Sequence, residues 1–293
     1  MDKLQVKLKN GETYFYLEKG KGDKTLILVH GNMSSSVHFL PLINQLPNNI
    51  KIIAPDLRGF GDSTYNEPID SLKSLADDLL LFMNEIGVKK ASLAGWSTGG
   101  GVILEFAAKY PQMVDKLILI ESTTHKGYPI FKKDANLKPT GIPYSSREEM
   151  GIDPVQVLPV INALKDKNFA FMNWLWNASI YVNNKPIESE NNFYINETLK
   201  QRNLVDIDWS LATMNMSNED SLYSKGENTI KNVKAQVLII WSKQDYVVPY
   251  ALTLDNYNAL KENAILKIYE KGGHSPLIDN LDELTSDIVN FLV

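Results

Sequence analysis

Short apolar runs alternate along the chain with longer stretches in which apolar residues recur at helical spacing. The runs lie at 25–29, 51–54, 91–94, 117–120, 237–241 and 265–269. Each is too short for a helix and apolar enough for a strand buried on both faces. Near the start, 4–8 and 14–17 alternate in polarity on either side of Asn10-Gly11, a dipeptide suited to a tight hairpin turn. Apolar positions 72, 75, 79, 82, 83 and 86 form one stripe on a helix over 72–86. Ser71 is placed to cap that helix and Gly87 to end it. Further helices are expected over 39–46, 102–109, about 250–260 and about 281–292. The one over 102–109 stops before Pro111, because a proline pushes its predecessor out of the α region. Strands that alternate with amphipathic helices form βαβ units. The expected fold is therefore α/β, with a mostly parallel central sheet and helices on both faces.

The alternation breaks between 122 and 233. This region reads as helical and irregular and is rich in aromatics, among them Phe169, Phe171, Trp174, Trp176, Tyr181, Phe193, Tyr194 and Trp209. The segments 183–186 and 188–192 read as loops. The expected organisation is a core of residues 1–122 and 234–293 and a helical cap, or lid, inserted at 123–233. It lies over the strand ends and is not an independent domain.

Composition narrows the function classes. The 293 residues are 44% hydrophobic and 22% charged, ordinary for a water-soluble globular chain. A net charge of −5 without a Lys/Arg cluster argues against nucleic acid as a partner. The absence of cysteine excludes disulfides, thiolate zinc sites and cysteine nucleophiles. No apolar run is long enough to span a membrane and the N-terminus carries no apolar signal region, so a cytoplasmic location is expected. Oligomeric state is left open. Only four histidines exist, at 30, 38, 125 and 274, so any catalytic imidazole is one of these.

The chemistry centres on Leu93-Ala94-Gly95-Trp96-Ser97-Thr98-Gly99-Gly100-Gly101. This is a G-x-S-x-G turn between a strand and a helix, the setting that a nucleophile elbow requires. A serine hydroxyl needs a base to take its proton, and the base needs an orienting acid. His274 follows the last strand in a Gly272-Gly273 loop, and Asp245 follows the strand at 237–241. Their order, Ser97 then Asp245 then His274, is the chain order of triads on such sheets. Each residue also has a structural alternative. The histidine is an ordinary loop residue, and the aspartate caps the helix after it.

At this point the chain resembles the α/β-hydrolase fold superfamily, over essentially its whole length and in the manner of serine esterases and lipases. The residues that carry the resemblance are His30-Gly31-Asn32, Asp56-x-Arg58-Gly59-x-Gly61-x-Ser63, Gly95-Trp96-Ser97-Thr98-Gly99, Asp245-x-x-Val248-Pro249 and Gly273-His274. The elbow is also similar to that of cofactor-free haloperoxidases, which are perhydrolase-type esterases. Asn32-Met33 departs from the aromatic residue and proline usual in their oxyanion loop. The resemblance implies an oxyanion hole from the backbone N–H groups of Asn32 and Thr98. It implies structural roles for Asp56, Arg58, Asp62 and His30, and offers Glu121 as an alternative acid. Haloalkane dehalogenation and epoxide opening on this fold use a carboxylate nucleophile, which Ser97 argues against.

Trp96, Met33, His125, Trp174 and Trp176 are the candidate pocket residues, with Met214 a further possibility. For His125 an exposed loop position is the preferred alternative. By resemblance a proline-specific aminopeptidase is a further alternative, although no carboxylate cluster of the insertion is marked out for a substrate amine. The expectation is a carboxylesterase-type serine hydrolase acting on a small or medium hydrophobic ester, with no metal and no cofactor. Lactone, thioester and C–C bond hydrolysis need the same residues. A ligand-sensing protein of the same fold is the rival from another class.

Overall fold

Every short apolar run is a strand of one eight-stranded sheet in the computed structural model, which describes residues 1–293. The first part of the chain forms β1 (Leu4–Lys7), β2 (Thr13–Lys19), β3 (Lys24–Val29), α1 (Leu40–Gln45), β4 (Ile50–Pro55), α2 (Leu72–Glu85), β5 (Ala91–Trp96), α3 (Thr98–Lys109) and β6 (Val114–Ile120). Then come β7 (Phe131–Lys133), β8 (Pro139–Pro143), α4 (Arg147–Gly151), α5 (Leu158–Lys165), α6 (Phe169–Ser179), α7 (Glu188–Thr198) and α8 (Leu204–Thr213). The chain closes with β9 (Gln236–Ser242), α9 (Tyr250–Leu260), β10 (Ala264–Tyr269), α10 (Pro276–Asp279) and α11 (Leu281–Leu292).

The sheet order is β1-β2-β4-β3-β5-β6-β9-β10. β2 pairs antiparallel with both β1 and β4, whereas β4, β3, β5, β6, β9 and β10 run parallel, and β7 and β8 form a separate antiparallel pair. Successive side chains of a strand point to opposite faces. Ile27, Val29, Leu93, Leu117 and Leu119 therefore join the core beneath α2 and α3. Leu26, Leu28, Ala94, Ile118 and Ile120 join the core beneath α1 and α11. This two-sided burial is why the strands lack polar alternation. The α/β fold with a mostly parallel sheet covered by helices on both faces is as expected, and no helix is long and apolar enough to cross a membrane.

Several boundaries differ from the pattern. The helix expected from 102 begins at Thr98, so the glycines at 99–101 are helical despite their low propensity. Their lack of side chains lets α3 start against the sheet. A Cβ on Gly99 would lie 2.1 Å from the Val29 carbonyl oxygen. Ser71 holds the capping position of α2, but its hydroxyl bonds the side chains of Asp70 and Ser74 and no backbone N–H of the helix. Residues 188–192, expected as loop, are the first turns of α7, where Glu188 and Glu190 sit at the positive end of the helix dipole. The hairpin of β7 and β8 gave no alternating signal. Between β6 and β9 the insertion packs into the same two cores as the sheet, through residues such as Leu199 and Leu204 on one side and Ile207 and Leu211 on the other.

Candidate active site

The turn after β5 puts Ser97 in an unusual backbone state, φ 55° and ψ −120°. Non-glycine residues rarely adopt positive φ, and the surroundings must over-determine it. Here the Ser97 N–H donates to the Ile120 carbonyl at 2.9 Å, and its own carbonyl accepts from Gly100 at 3.0 Å and Thr123 at 3.2 Å. Gly95 and Gly99 make the turn possible, since a Cβ on Gly95 would lie 2.4 Å from the Gly99 carbonyl oxygen.

Asp245 follows β9, and one of its carboxylate oxygens, Oδ1, accepts from the N–H groups of Val247 at 2.7 Å and Val248 at 2.9 Å. The other, Oδ2, lies 2.8 Å from His274 Nδ1. Burial pushes the Asp245 carboxyl up, but the charge and hydrogen bond of His274 outweigh it and hold it below its usual range. The Trp96 indole donates to the His274 carbonyl at 2.7 Å, which ties the histidine loop to the serine turn. Ser97 and His274 line one cavity. No hydrogen bond joins Ser97 Oγ to the imidazole, a loose geometry common before substrate binds.

Glu121 directly follows β6, with a φ of 43°, and is wholly buried. Its carboxyl has no hydrogen bond of good geometry. Burial first, and the nearby Asp245 charge second, push it well above the usual carboxylate range. A neutral Glu121 beside an ionised Asp245 follows, and the imidazole bonds to Asp245.

The loop after β3 carries Gly31, Asn32 and Met33 into the same cavity. The N–H of Asn32 has no acceptor within the protein. Thr98 opens α3, so no preceding turn accepts its N–H either. The Asn32 side chain is engaged elsewhere. Its oxygen accepts from Gln201 Nε2 at 2.7 Å, and its Nδ2 donates to Asp208 at 2.9 Å. Gln201 also accepts from the Met33 N–H at 3.0 Å. Residues of the insertion thus hold this loop in place.

The cavity has a volume of about 160 Å³. Of the candidate pocket residues, Trp96, Met33 and Trp176 line it, together with Tyr128, Leu175 and Val248. Trp174 does not. It is 56% exposed, because two residues along a helix is a turn of ~200°, which puts Trp174 opposite Trp176 on α6. His125 does not line the cavity either, nor is it the exposed loop residue preferred as its alternative. It is buried, with its N–H donating to Asn256 Oδ1 at 2.7 Å. Met214 is packed in the core under α3.

His30 is a structural residue by its bonds. Its Nε2 accepts from the Leu57 N–H at 3.0 Å, which leaves Nδ1 to donate to the Gly31 carbonyl at 2.8 Å. Arg58 forks onto Asp78, with Nε 2.6 Å from Oδ2. Asp56 and Asp62 both lie 2.7 Å from Lys3 Nζ.

Sequence reasoning missed Gln201 and Asp208. A signal for Asp208 was present, since it falls four residues after Leu204 and three before Leu211, on the apolar face of α8. An acid on such a face is the exception worth following.

The family described as alpha/beta hydrolase fold matches residues 24–141. The chain has the α/β-hydrolase fold. An AB hydrolase superfamily protein of Bacillus subtilis is 23% identical over 98% of this chain and 97% of its own. An uncharacterized protein of Mycobacterium bovis is 29% identical over 41% of this chain, and the match spans 35% of the relative's length. Among solved structures, a thermophilic esterase from Thermogutta terrifontis superposes with a TM-score of 0.75 at 18% identity, covering 100% of this chain and 98% of the other. The enol-lactonase of Burkholderia xenovorans LB400 does so with a TM-score of 0.75 at 15% identity, covering 99% of each.

Proposed function

We propose that the protein is a serine hydrolase of carboxylic esters, with the insertion at 123–233 acting as a cap over its cavity. One observation carries the proposal: His274 Nδ1 lies 2.8 Å from Asp245 Oδ2 at the rim of the cavity that Ser97 lines from a strained turn. The Asp245 contact keeps the proton on Nδ1 and leaves Nε2 bare to act as base. Ser97 Oγ attacks the carbonyl carbon and its proton passes to His274 Nε2. The oxygen that gains charge accepts from the N–H groups of Asn32 and Thr98. Removal of one such donor typically costs ~3 kcal/mol of barrier. The imidazolium then protonates the departing alkoxide, and the alcohol leaves. Water, deprotonated by the same imidazole, attacks the acyl-enzyme and frees the acid and Ser97. No step calls for a metal or cofactor.

The apolar walls given by Met33, Trp96, Leu175 and Trp176 support a small or medium hydrophobic substrate. The esterase and enol-lactonase among the structural neighbours share the fold, and the same chemistry opens a lactone. The test is turnover of short-chain p-nitrophenyl esters, with lactones and thioesters alongside. Ser97→Ala is expected to lower kcat by ~10⁴-fold or more and to abolish labelling by a fluorophosphonate. Retention of a tenth of the activity removes Ser97 from the reaction. Fast labelling of the native protein without turnover of any ester identifies a ligand-sensing protein instead.

A further inference from the structure

Asp208 is the one acidic side chain among the residues that line the cavity, and no lysine or arginine lines it. Its Oδ1 accepts from Asn32 Nδ2 at 2.9 Å, and its Oδ2 has no hydrogen-bond partner in the protein. Asp206, two residues earlier on α8, shows the contrast. Arg147 and the Tyr65 hydroxyl both engage Asp206, so its charge is met inside the protein. Asp208 has no such cation. An enclosed carboxylate without a counter-charge is costly, and a fold that keeps one gains when a ligand brings the missing charge.

Position narrows the ligand further. Asp208 grips the side chain of the residue whose backbone N–H faces the substrate carbonyl in the reading above. The acid therefore stands beside the reacting end of the substrate, not at the far end of its chain. We propose that Asp208 is the anchor for a substrate ammonium, and that the preferred substrates are small amino-acyl esters with the amine a few bonds from the scissile carbonyl. The apolar walls then hold the rest of the molecule, and the ammonium fixes its direction. This proposal rests on the ester-hydrolase reading of the same cavity.

The test uses two methyl esters of equal size, β-alanine methyl ester and methyl butyrate, in which an ammonium replaces a methyl group. The native protein is expected to favour the amino ester at least tenfold in kcat/KM near neutral pH. Asp208→Asn is expected to reduce that ratio at least tenfold, chiefly through KM, and Asp208→Glu to restore part of it. A mere packing role for Asp208 changes both substrates together and leaves the ratio where it was, which overturns the proposal. A native preference for methyl butyrate also overturns it. Binding supplies a readout free of turnover. Saturation-transfer NMR with n-butylammonium and n-butanol is expected to show the cation on the native protein and to lose it in Asp208→Asn. Equal signals for the two ligands refute the anchor even when ester turnover is intact. Turnover of neither ester, with selective cation binding, instead refutes the hydrolase reading alone.

Discussion

Ser97 is held at a φ of 55° by three backbone hydrogen bonds, and residues in such states store ~1–3 kcal/mol. In the proposed reaction that strain has a use, because the turn projects a hydroxyl into the cavity. Ser97→Gly removes the Cβ that makes the state costly, at some gain in unfolded-chain entropy. The net expectation is ~1 kcal/mol of added stability, a rise of ~2–4 °C in Tm, with ester turnover lost. Calorimetry of the variant beside an activity assay checks both, and a lower Tm counts against stored strain. Asp208 gives a pH signature of the same kind. Burial pushes its carboxyl from 3.8 up to about 7. A raised carboxyl favours the folded state at low pH, and that contribution is lost as pH rises from ~4 through ~7. Asp208→Asn never ionises. It is expected to overtake the native protein by up to ~4 kcal/mol at pH 8, with little difference at pH 4. Denaturant unfolding at the two values measures the change, and equal differences at both contradict a raised Asp208. Ser97, Asp245 and His274 were legible in the sequence because each follows an apolar strand in a short loop. Asp208 was not singled out, because its neighbour is Asn32, 176 residues away in sequence.

At the scale of elements, period was legible and rotation was not used where it mattered. The stripe on α2 is buried at Leu72, Leu75, Leu79, Phe82 and Met83 as its spacing predicts. On α6 the composition drew attention to two tryptophans alike, although helical geometry sets them on opposite sides. Trp176 packs on His38, with ring centroids 4.9 Å apart, and on Trp96 at 6.2 Å, while Trp174 faces solvent. Trp176→Ala is expected to cost ~3–5 kcal/mol and to widen the cavity so that bulkier acyl groups gain relative to acetyl. Trp174→Ala is expected to stay within ~0.5 kcal/mol of the native protein. Chemical unfolding and a p-nitrophenyl ester series in acyl length test the pair. Equal effects of the two substitutions contradict the rotation of α6. Helix ends were harder to read than faces. The glycines before 102 and the asparagines after 190 have poor helix propensity, and packing of α3 on the sheet and of Tyr194 and Ile195 in the core overrides it.

At the scale of the molecule, one lysine near the start of the chain joins the sheet to the insertion. Lys3 Nζ lies 2.7 Å from Asp56, 2.7 Å from Asp62 and 2.9 Å from Glu197 on α7. Lys200 also bonds Asp62 and Glu197. Three acids close enough together to hold a metal ion are thus met by two ammonium groups of the chain itself. The sequence showed Asp56 and Asp62 as loop acids, but nothing local links residue 3 to residue 197. Burial opposes the charge on Lys3, and the Asp56 charge with hydrogen bonds to all three acids holds its ammonium well above the usual range. Removal of one partner from such a cluster leaves the others enclosed and unpaired. Asp62 is partly open to water, so Lys3→Met is expected to cost ~2–3 kcal/mol, less than a fully enclosed pair would. The loss should fall on the docking of α7, and so on Thr198 and Gln201, which hold the Met33 loop at 2.7 and 3.0 Å. Lys3→Met is therefore expected to lower kcat for ester turnover as well as Tm. Glu197→Gln in the same chain removes one of the stranded charges. The double variant should recover part of the stability, so that the two costs are not additive. Full additivity, or a single-variant cost under ~0.5 kcal/mol, means that the lysine merely covers the acids and does not fasten the insertion to the sheet.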